Sequence, residues 1–331
     1  VRRPRYSIHN VHPLTARKGK VMARWNADAI PSLKGKRAIV TGANGGLGYF
    51  TALELARHGA QVTMACRSSA RAEAAADKIR AAAPEARLEV MLVDVGDLDS
   101  IRVFAAKFKA RHRRLDILCN NAGVVAQPLA RTRQGFEFQM GTNYFGPFVL
   151  TGLLLDLIRA TPAARVVNVA SVAHKFGRLP MDDLNWEKRR YNEWRGYGQS
   201  KLALLLFTYE LQRRLQKVGI DAISVAAHPG YAATNLVSSE MKLASHWLGK
   251  AAMDLGNRLL AQPAEMGALA TLMAATSADI KGGDYIGPGG IGEMRGYPKK
   301  VRSTRASHNL ESASQLWTAS EQLTGLSYLS A

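Results

Sequence analysis

Between residues 37 and 228 the chain repeats one pattern: a short, nearly continuous apolar run, then a longer stretch with helical apolar spacing. The runs are RAIVT (37–41), QVTMA (61–65), LEVMLVD (88–94), LDILCN (115–120), RVVNVAS (165–171) and DAISVAAH (221–228). Runs of this kind suit strands covered on both faces. The helical segments are 47–58, 69–82, 98–111, 134–159, 197–217 and 263–276. Strands that alternate with helices pair in parallel through right-handed crossovers. The pattern therefore predicts an α/β fold: a single doubly wound parallel sheet flanked by helices.

No break in composition interrupts residues 36–297, which we read as one domain. Within it, GGDYIGPGGIGEMRG (282–296) supplies a glycine-rich turn, with Tyr285-Ile286 as a last short strand. Residues 1–35 carry Pro4, Pro13 and Pro31 without apolar periodicity and read as a flexible basic arm, with a short helix near 26–30. Residues 298–331 read as a C-terminal tail with a helix near 309–323.

The formal net charge is +19, and nine Lys or Arg against Asp28 alone in residues 1–36 contribute +8 of it. Such a surface can attract anions. No zinc-finger, helix-turn-helix or RNA-recognition pattern accompanies it, so no nucleic-acid partner is expected. Cys66 and Cys119 sit inside apolar runs and belong to no CxxC or Cys/His cluster. Neither a disulfide framework nor a metal site is expected. The apolar runs fall short of the roughly 20 residues of a spanning helix, and the basic N-terminus has no apolar run behind it. These features predict a cytoplasmic location.

The first strand ends in Thr41-Gly42-Ala43-Asn44-Gly45-Gly46-Leu47-Gly48 and leads directly into a helical pattern. Glycines at 42, 46 and 48 let the backbone turn tightly and approach a pyrophosphate. The helix N-terminus then offers N–H groups and a partial positive charge to phosphates. In this strand–loop–helix context the motif predicts a dinucleotide site. At the end of the second strand an NAD-selective site usually has an acid. Here Cys66-Arg67 stands there, with Arg71 one helical turn on. A guanidinium suits an additional 2′-phosphate, so NADPH/NADP is expected over NAD.

Tyr197 and Lys201 are four residues apart at the start of a helical pattern, hence on one helical face. A neighbouring ammonium favours the phenolate, so the pair predicts a phenol with a lowered pKa, suited to general acid/base work. Ser171 ends a strand, at the edge where open α/β sheets bind ligands, and can polarise a carbonyl.

With these motifs in order, residues 36–290 resemble the short-chain dehydrogenase/reductase family. TGANGGLG (41–48), Asp94-Val95, Asn120-Asn121-Ala122-Gly123, and His228-Pro229-Gly230 with Thr234 match its cofactor segments. Asn143, Ser171, Tyr197 and Lys201 match its four catalytic positions. Gly45 stands where many NADPH-using members carry a basic side chain. MACRSSARAEAA, YGQSKLALLLFTYEL and the 25 residues between Ser171 and Tyr197 resemble the retinol-dehydrogenase-like and protochlorophyllide-reductase-like branch.

The resemblance implies a Rossmann-type domain that binds the dinucleotide through Gly42, Asn44, Gly46, Leu47, Gly48, Arg67, Asp94, Val95, Asn121, Ala122, Gly123, Tyr197, Lys201, Pro229, Gly230 and Thr234. Asp94 is expected to meet adenine. Lys201 is expected to bond the nicotinamide ribose, and Asn143 to hold a water that links Lys201 to solvent. Hydride then passes between the nicotinamide and a small apolar carbonyl or alcohol, with the proton moving through Tyr197. The alternatives are reduction of a ring carbon–carbon double bond, or a non-catalytic NADPH sensor that docks through its basic arm. Residues 174–195, with Phe176, Leu179, Trp186, Tyr191 and Trp194, and residues 232–262, with Leu236, Met241, Leu243, Trp247 and Leu248, are expected to form a lid. His174 reads as a polar loop residue or a substrate contact. A dimer or tetramer built on 134–159 and 197–217 is the family expectation, and a monomer follows if the C-terminal tail covers that face.

Overall fold

The computed structural model describes residues 24–231 and 262–329. One eight-stranded sheet runs in the order β3-β2-β1-β4-β5-β6-β7-β8. Its strands are β1 (Arg37–Thr41), β2 (Gln61–Cys66), β3 (Arg87–Leu92), β4 (Ile117–Asn120), β5 (Ala164–Val169), β6 (Ala222–Ala227), β7 (Tyr285–Pro288) and β8 (Pro298–Val301). All neighbouring pairs are parallel except β7 with β8. The strand order reverses between β1 and β4, which opens a crevice at their carboxyl ends.

The helices are α1 (Gly46–Arg57), α2 (Ser69–Ala82), α3 (Leu98–Arg111), α4 (Phe138–Met140), α5 (Gly146–Leu153), α6 (Leu155–Arg159), α7 (Glu193–Lys217), α8 (Ala264–Thr276) and α9 (Leu310–Thr324). One apolar layer joins α3, α5 and α7 to the sheet, and a second joins α1, α2 and α8 to its other face. Double coverage is why the central strands carry apolar side chains in unbroken runs.

The helix expected over 134–159 is not continuous. It begins at Phe138, where the buried Glu137 carboxylate accepts the N–H groups of Gln139 at 2.9 Å and Met140 at 2.7 Å. Residues Gly141–Phe145 form a widened π-helical turn before α5. Pro147 has no N–H to donate to the Asn143 carbonyl four residues back, so the α-helical ladder is broken at that point. A second break at Leu154 separates α5 from α6.

The segments read as arm and tail also join the fold. Ile30 and Leu33 are buried, and the Leu33 N–H donates to the His58 carbonyl at 2.8 Å. Beyond residue 297, β8 adds an antiparallel edge strand to β7. The expected tail helix is present as α9, and it lies along α7 with its Trp317 ring 5.2 Å from Phe148 and 5.9 Å from Phe207. Tyr328 follows, donating to the Phe148 carbonyl at 3.0 Å.

Candidate active site

The glycine loop lies at the point where the strand order reverses. Gly42 and Gly46 have φ of +67° and +52°, a region costly to a side chain. A Cβ on Gly48 would stand 2.3 Å from the Gly42 carbonyl oxygen and 2.5 Å from Asn121 Nδ2. Only glycine lets this helix turn approach the loop so closely. Gly45 precedes α1 and supplies no side-chain cap to the first N–H groups of the helix, which begins Gly46-Leu47. The N–H groups of Ala43 and Asn44 face the Cys66 thiol, whose pKa burial pushes up to about 11.

Thr41 and Asn121 stitch the two sides of the crevice together. The Thr41 hydroxyl accepts the N–H groups of Asn121 and Ala122, both at 2.9 Å, and Asn121 Nδ2 donates to the Thr41 carbonyl at 2.8 Å. Gly123 follows in a narrow gap, where a Cβ would lie 2.9 Å from Asn143 Oδ1 and 3.5 Å from Lys201 Nζ. Arg67 leaves the end of β2 largely exposed, with its guanidinium 3.9 Å from Asp94 Oδ2. Asp94 Oδ1 accepts the Gly96 N–H at 2.9 Å, and Val95 beside it is buried.

At the neighbouring strand ends, Ser171, Tyr197, Lys201 and Asn143 converge. Tyr197 and Lys201, on the second and third turns of α7, are both buried. The Lys201 ammonium lies 5.7 Å from the Tyr197 ring centroid and donates to the Val169 carbonyl at 2.8 Å. The Ser171 hydroxyl lies near enough to Tyr197 to favour its phenolate, and Ser171 Oγ accepts the Ala173 N–H at 3.2 Å. That bond occupies one Oγ lone pair and does not use the hydroxyl hydrogen.

The electrostatics differ from the expectation. Burial raises the Tyr197 pKa above that of an ordinary phenol, and the nearby Ser171 hydroxyl offsets only part of this. Burial also pushes the Lys201 amine down to about 8. Spacing on a helix reveals that an amine lies near the phenol. It does not reveal that both lie out of water, where desolvation disfavours each charged form.

Asn143 sits on the π-helical turn with its amide fully engaged. Its Nδ2 donates to the Val124 carbonyl and to Ser200 Oγ, both at 2.9 Å, and its Oδ1 accepts the Val124 N–H at 2.8 Å. It thereby fixes the loop after β4 against α7. Beyond β6, Gly230 has φ of +66°, and a Cβ there would stand 2.3 Å from the Met294 carbonyl oxygen. The Pro229 carbonyl accepts Gln262 Nε2 at 2.6 Å. Thr234 lies outside the described residues, as do the other apolar lid residues expected between 232 and 261.

The first expected lid segment is tied down. Trp186 and Leu184 are buried, and the Arg189 guanidinium stacks 3.8 Å from the centroid of the Trp186 ring. Arg189 also binds the Asp183 carboxylate at 2.7 Å and Gln199 Oε1 at 3.0 Å. Tyr191 donates to the buried Glu137 at 2.8 Å. Sequence reading missed this network, because side-chain pairing within 183–199 and across to Glu137 leaves no mark on apolar spacing. Phe176 and Trp194 alone among the aromatic residues of that segment are about half exposed. The Trp194 ring meets Tyr197 edge-on at 6.4 Å, and Phe176 packs on the next residue, Gly198. His174 is buried, and its partners are backbone groups.

Among the described residues, no group of three or more His, Cys, Asp or Glu is placed to hold a metal, and no helix is long and apolar enough to cross a membrane.

A family profile described as short chain dehydrogenase matches residues 36–243. Retinol dehydrogenase 13 of Mus musculus is 39% identical over 305 residues, covering 89% of this chain and 85% of that protein. Its Homo sapiens counterpart is 48% identical over 205 residues, covering 62% of this chain and 61% of that protein. Among solved structures, an uncharacterized protein from Mycobacterium paratuberculosis is 41% identical with a TM-score of 0.76, covering 92% of this chain and 99% of its own. The Pseudomonas aeruginosa RhlG/NADP active-site complex is 26% identical with a TM-score of 0.59, covering 77% and 94%. The chain belongs to the short-chain dehydrogenase family, within its retinol-dehydrogenase-like branch.

Proposed function

We propose that the protein is an NADPH-preferring oxidoreductase that interconverts an apolar aldehyde or ketone and its alcohol, using Tyr197 as general acid/base. The observation that carries this reading is the convergence of Ser171, Tyr197 and Lys201 beside an uncapped, glycine-lined helix start. Gly42, Asn44, Gly46, Leu47 and Gly48 cradle the pyrophosphate, and the close approach that only Gly48 permits fits that task. Arg67, with Arg71, takes the 2′-phosphate. Asp94 and Val95 flank the adenine, Asn121, Ala122 and Gly123 the ribose, and Pro229, Gly230 and Thr234 the nicotinamide. When bound, a dihydronicotinamide supplies the hydride.

The chain's own groups handle oxygen and proton. Ser171 donates its hydroxyl hydrogen to the substrate carbonyl oxygen, where negative charge develops. Tyr197 keeps its proton at neutral pH, because burial raises its pKa, and delivers it to that oxygen. Lys201 lies near enough to stabilise the resulting phenolate, and Asn143 holds the loop that faces it. With its pKa raised, Tyr197 is in the protonated form that carbonyl reduction uses at neutral pH.

The half-exposed Trp194 beside Tyr197 and Phe176 against Gly198 support an apolar substrate of the chemical kind that the names of the retinol dehydrogenases indicate. The packing of α9 and Tyr328 over α5 and α7 supports a monomer rather than a dimer or tetramer built on those helices. Two buried, unpaired cysteines support the reducing cytoplasm as its compartment.

The test is a screen of NADPH oxidation over apolar aldehydes, ketones and quinones, with Arg67→Glu assayed beside the parent. The reading expects turnover with apolar carbonyls. It also expects Arg67→Glu to weaken NADPH affinity by about tenfold or more, the worth of one charge-assisted bond, while NADH affinity stays within about twofold. Equal losses for both dinucleotides would remove Arg67 from the phosphate site.

A further inference from the structure

Three residues beyond Ser171, His174 lies in a single turn of 3-10 helix (Val172–Phe176) and is 1% exposed. Both ring nitrogens have backbone partners. The Thr304 N–H points at Nε2 from 3.3 Å, and a backbone N–H can only donate, so Nε2 is the acceptor. Nδ1 therefore carries the hydrogen and donates it to the Ser171 carbonyl at 2.7 Å. The ring is neutral, and burial, the largest influence on it, lowers its pKa and keeps it so. Its edge-on contact with Tyr285, 5.7 Å between centroids, fixes the ring plane.

The consequence falls on the serine. The Ser171 carbonyl also accepts the His174 backbone N–H at 3.2 Å, so two donors from one residue close the turn around it. That closure aims the Ala173 N–H at Ser171 Oγ, at 3.2 Å. The Ala173 bond uses one of the two Oγ lone pairs and leaves the hydroxyl hydrogen available to Tyr197 or a substrate oxygen. The far end of the strut is Thr304, 130 residues later and just after the edge strand β8.

We propose that His174 is a positioning residue, which holds the Ser171 turn in its donor geometry by bracing it against the backbone after β8. This deepens, and rests on, the carbonyl-polarising role given to Ser171 above. His174 touches no reacting atom. It acts through the serine, as a rigid link between the strand β5 end and the C-terminal edge of the sheet.

Two experiments test it. In the first, His174→Asn, His174→Gln and His174→Ala are compared by kcat, carbonyl KM, NADPH affinity and thermal unfolding. An asparagine amide can occupy the Nδ1 position and keep the bond to Ser171, whereas a glutamine amide reaches the Nε2 position and loses it. Asparagine is expected to hold kcat within about threefold of the parent. Glutamine and alanine are expected to lose about 10- to 100-fold in kcat at unchanged NADPH affinity, as a small displacement of a reacting group does. Equal kcat for asparagine and glutamine would overturn the proposal, as would loss confined to stability.

The second experiment does not depend on turnover. Nitrogen-15 imidazole spectra of the labelled full chain at neutral pH report each histidine tautomer. His174 is expected as the neutral Nδ1–H form. His228 serves as the internal contrast, because its Nδ1 accepts the Gly230 N–H at 3.2 Å and so requires the Nε2–H form. An Nε2–H or doubly protonated His174 would overturn the strut. If the parent reduces no carbonyl while His174 shows the Nδ1–H form, the reaction assigned above fails and the strut stands.

Discussion

Tyr197→Phe is expected to lower kcat for carbonyl reduction by about 10²- to 10⁴-fold, the usual worth of a positioned general acid, while NADPH binds as before. The substitution removes one oxygen from a ring that is otherwise buried, with the Trp194 ring edge-on to it. The cofactor cradle is built from other segments, so affinity and rate separate cleanly. Turnover that survives the substitution would remove the proposed proton donor. The pH dependence carries the same claim with a definite sign. Burial raises the phenol pKa, so the protonated form that reduction needs persists through neutral pH and declines only as pH climbs past the ordinary phenol value of about 10. Alcohol oxidation needs the phenolate, so its rate rises with pH over the alkaline range. An oxidation rate that peaks below pH 7 would contradict the assignment. Steady-state rates in both directions over pH 6–11 (stability permitting at each end) decide it.

Lys201→Met is expected to abolish measurable turnover and at the same time raise the thermal midpoint at pH 7. The ammonium is buried and has no carboxylate partner among the described residues, only the Val169 carbonyl. Desolvation pushes its pKa down to about 8, against an unfolded value near 10.5. Below about pH 8 the folded chain therefore carries a charge that burial disfavours. Between about 8 and 10.5 the unfolded chain binds more protons than the folded one, so stability rises with pH across that window. A methionine of similar length fills the space without the charge, which is why a gain is expected. Such a variant would show that the lysine is kept for chemistry against its cost to the fold. A fall in midpoint at pH 7, with activity intact, would contradict both halves of this account. Differential scanning calorimetry from pH 6 to 10 on parent and variant reads the sign directly.

The central strands were legible because they are covered on both faces, so their apolar runs are unbroken and their bounds fall within a few residues of those expected. The glycine loop was legible for a related reason, since the close approach at Gly48 admits no other residue. Features made by contacts across the chain were not. Strand β8, Pro-Lys-Lys-Val, reads as a polar tail because an edge strand carries charge on its open side. The π-helical turn at Asn143 widens the helix by one residue, below what apolar periodicity can register. The spacing of Tyr197 and Lys201 showed that they are neighbours but not that both are dry, so the direction of the phenol shift came out reversed. His174 looked like a loop residue because Thr304, which fixes its ring, is 130 positions away.

Hydride transfer itself is the most direct test of the account. NADPH carrying deuterium at C4 of its dihydronicotinamide is incubated with the full chain and an apolar aldehyde, and the alcohol formed is read by mass spectrometry. The account predicts one deuterium on the carbinol carbon from one face-specific label and none from the other, with the alcohol forming about 10²- to 10⁴-fold more slowly for Tyr197→Phe. An alcohol formed without deuterium from either label, or tight NADPH binding with no alcohol from any apolar carbonyl, would contradict it.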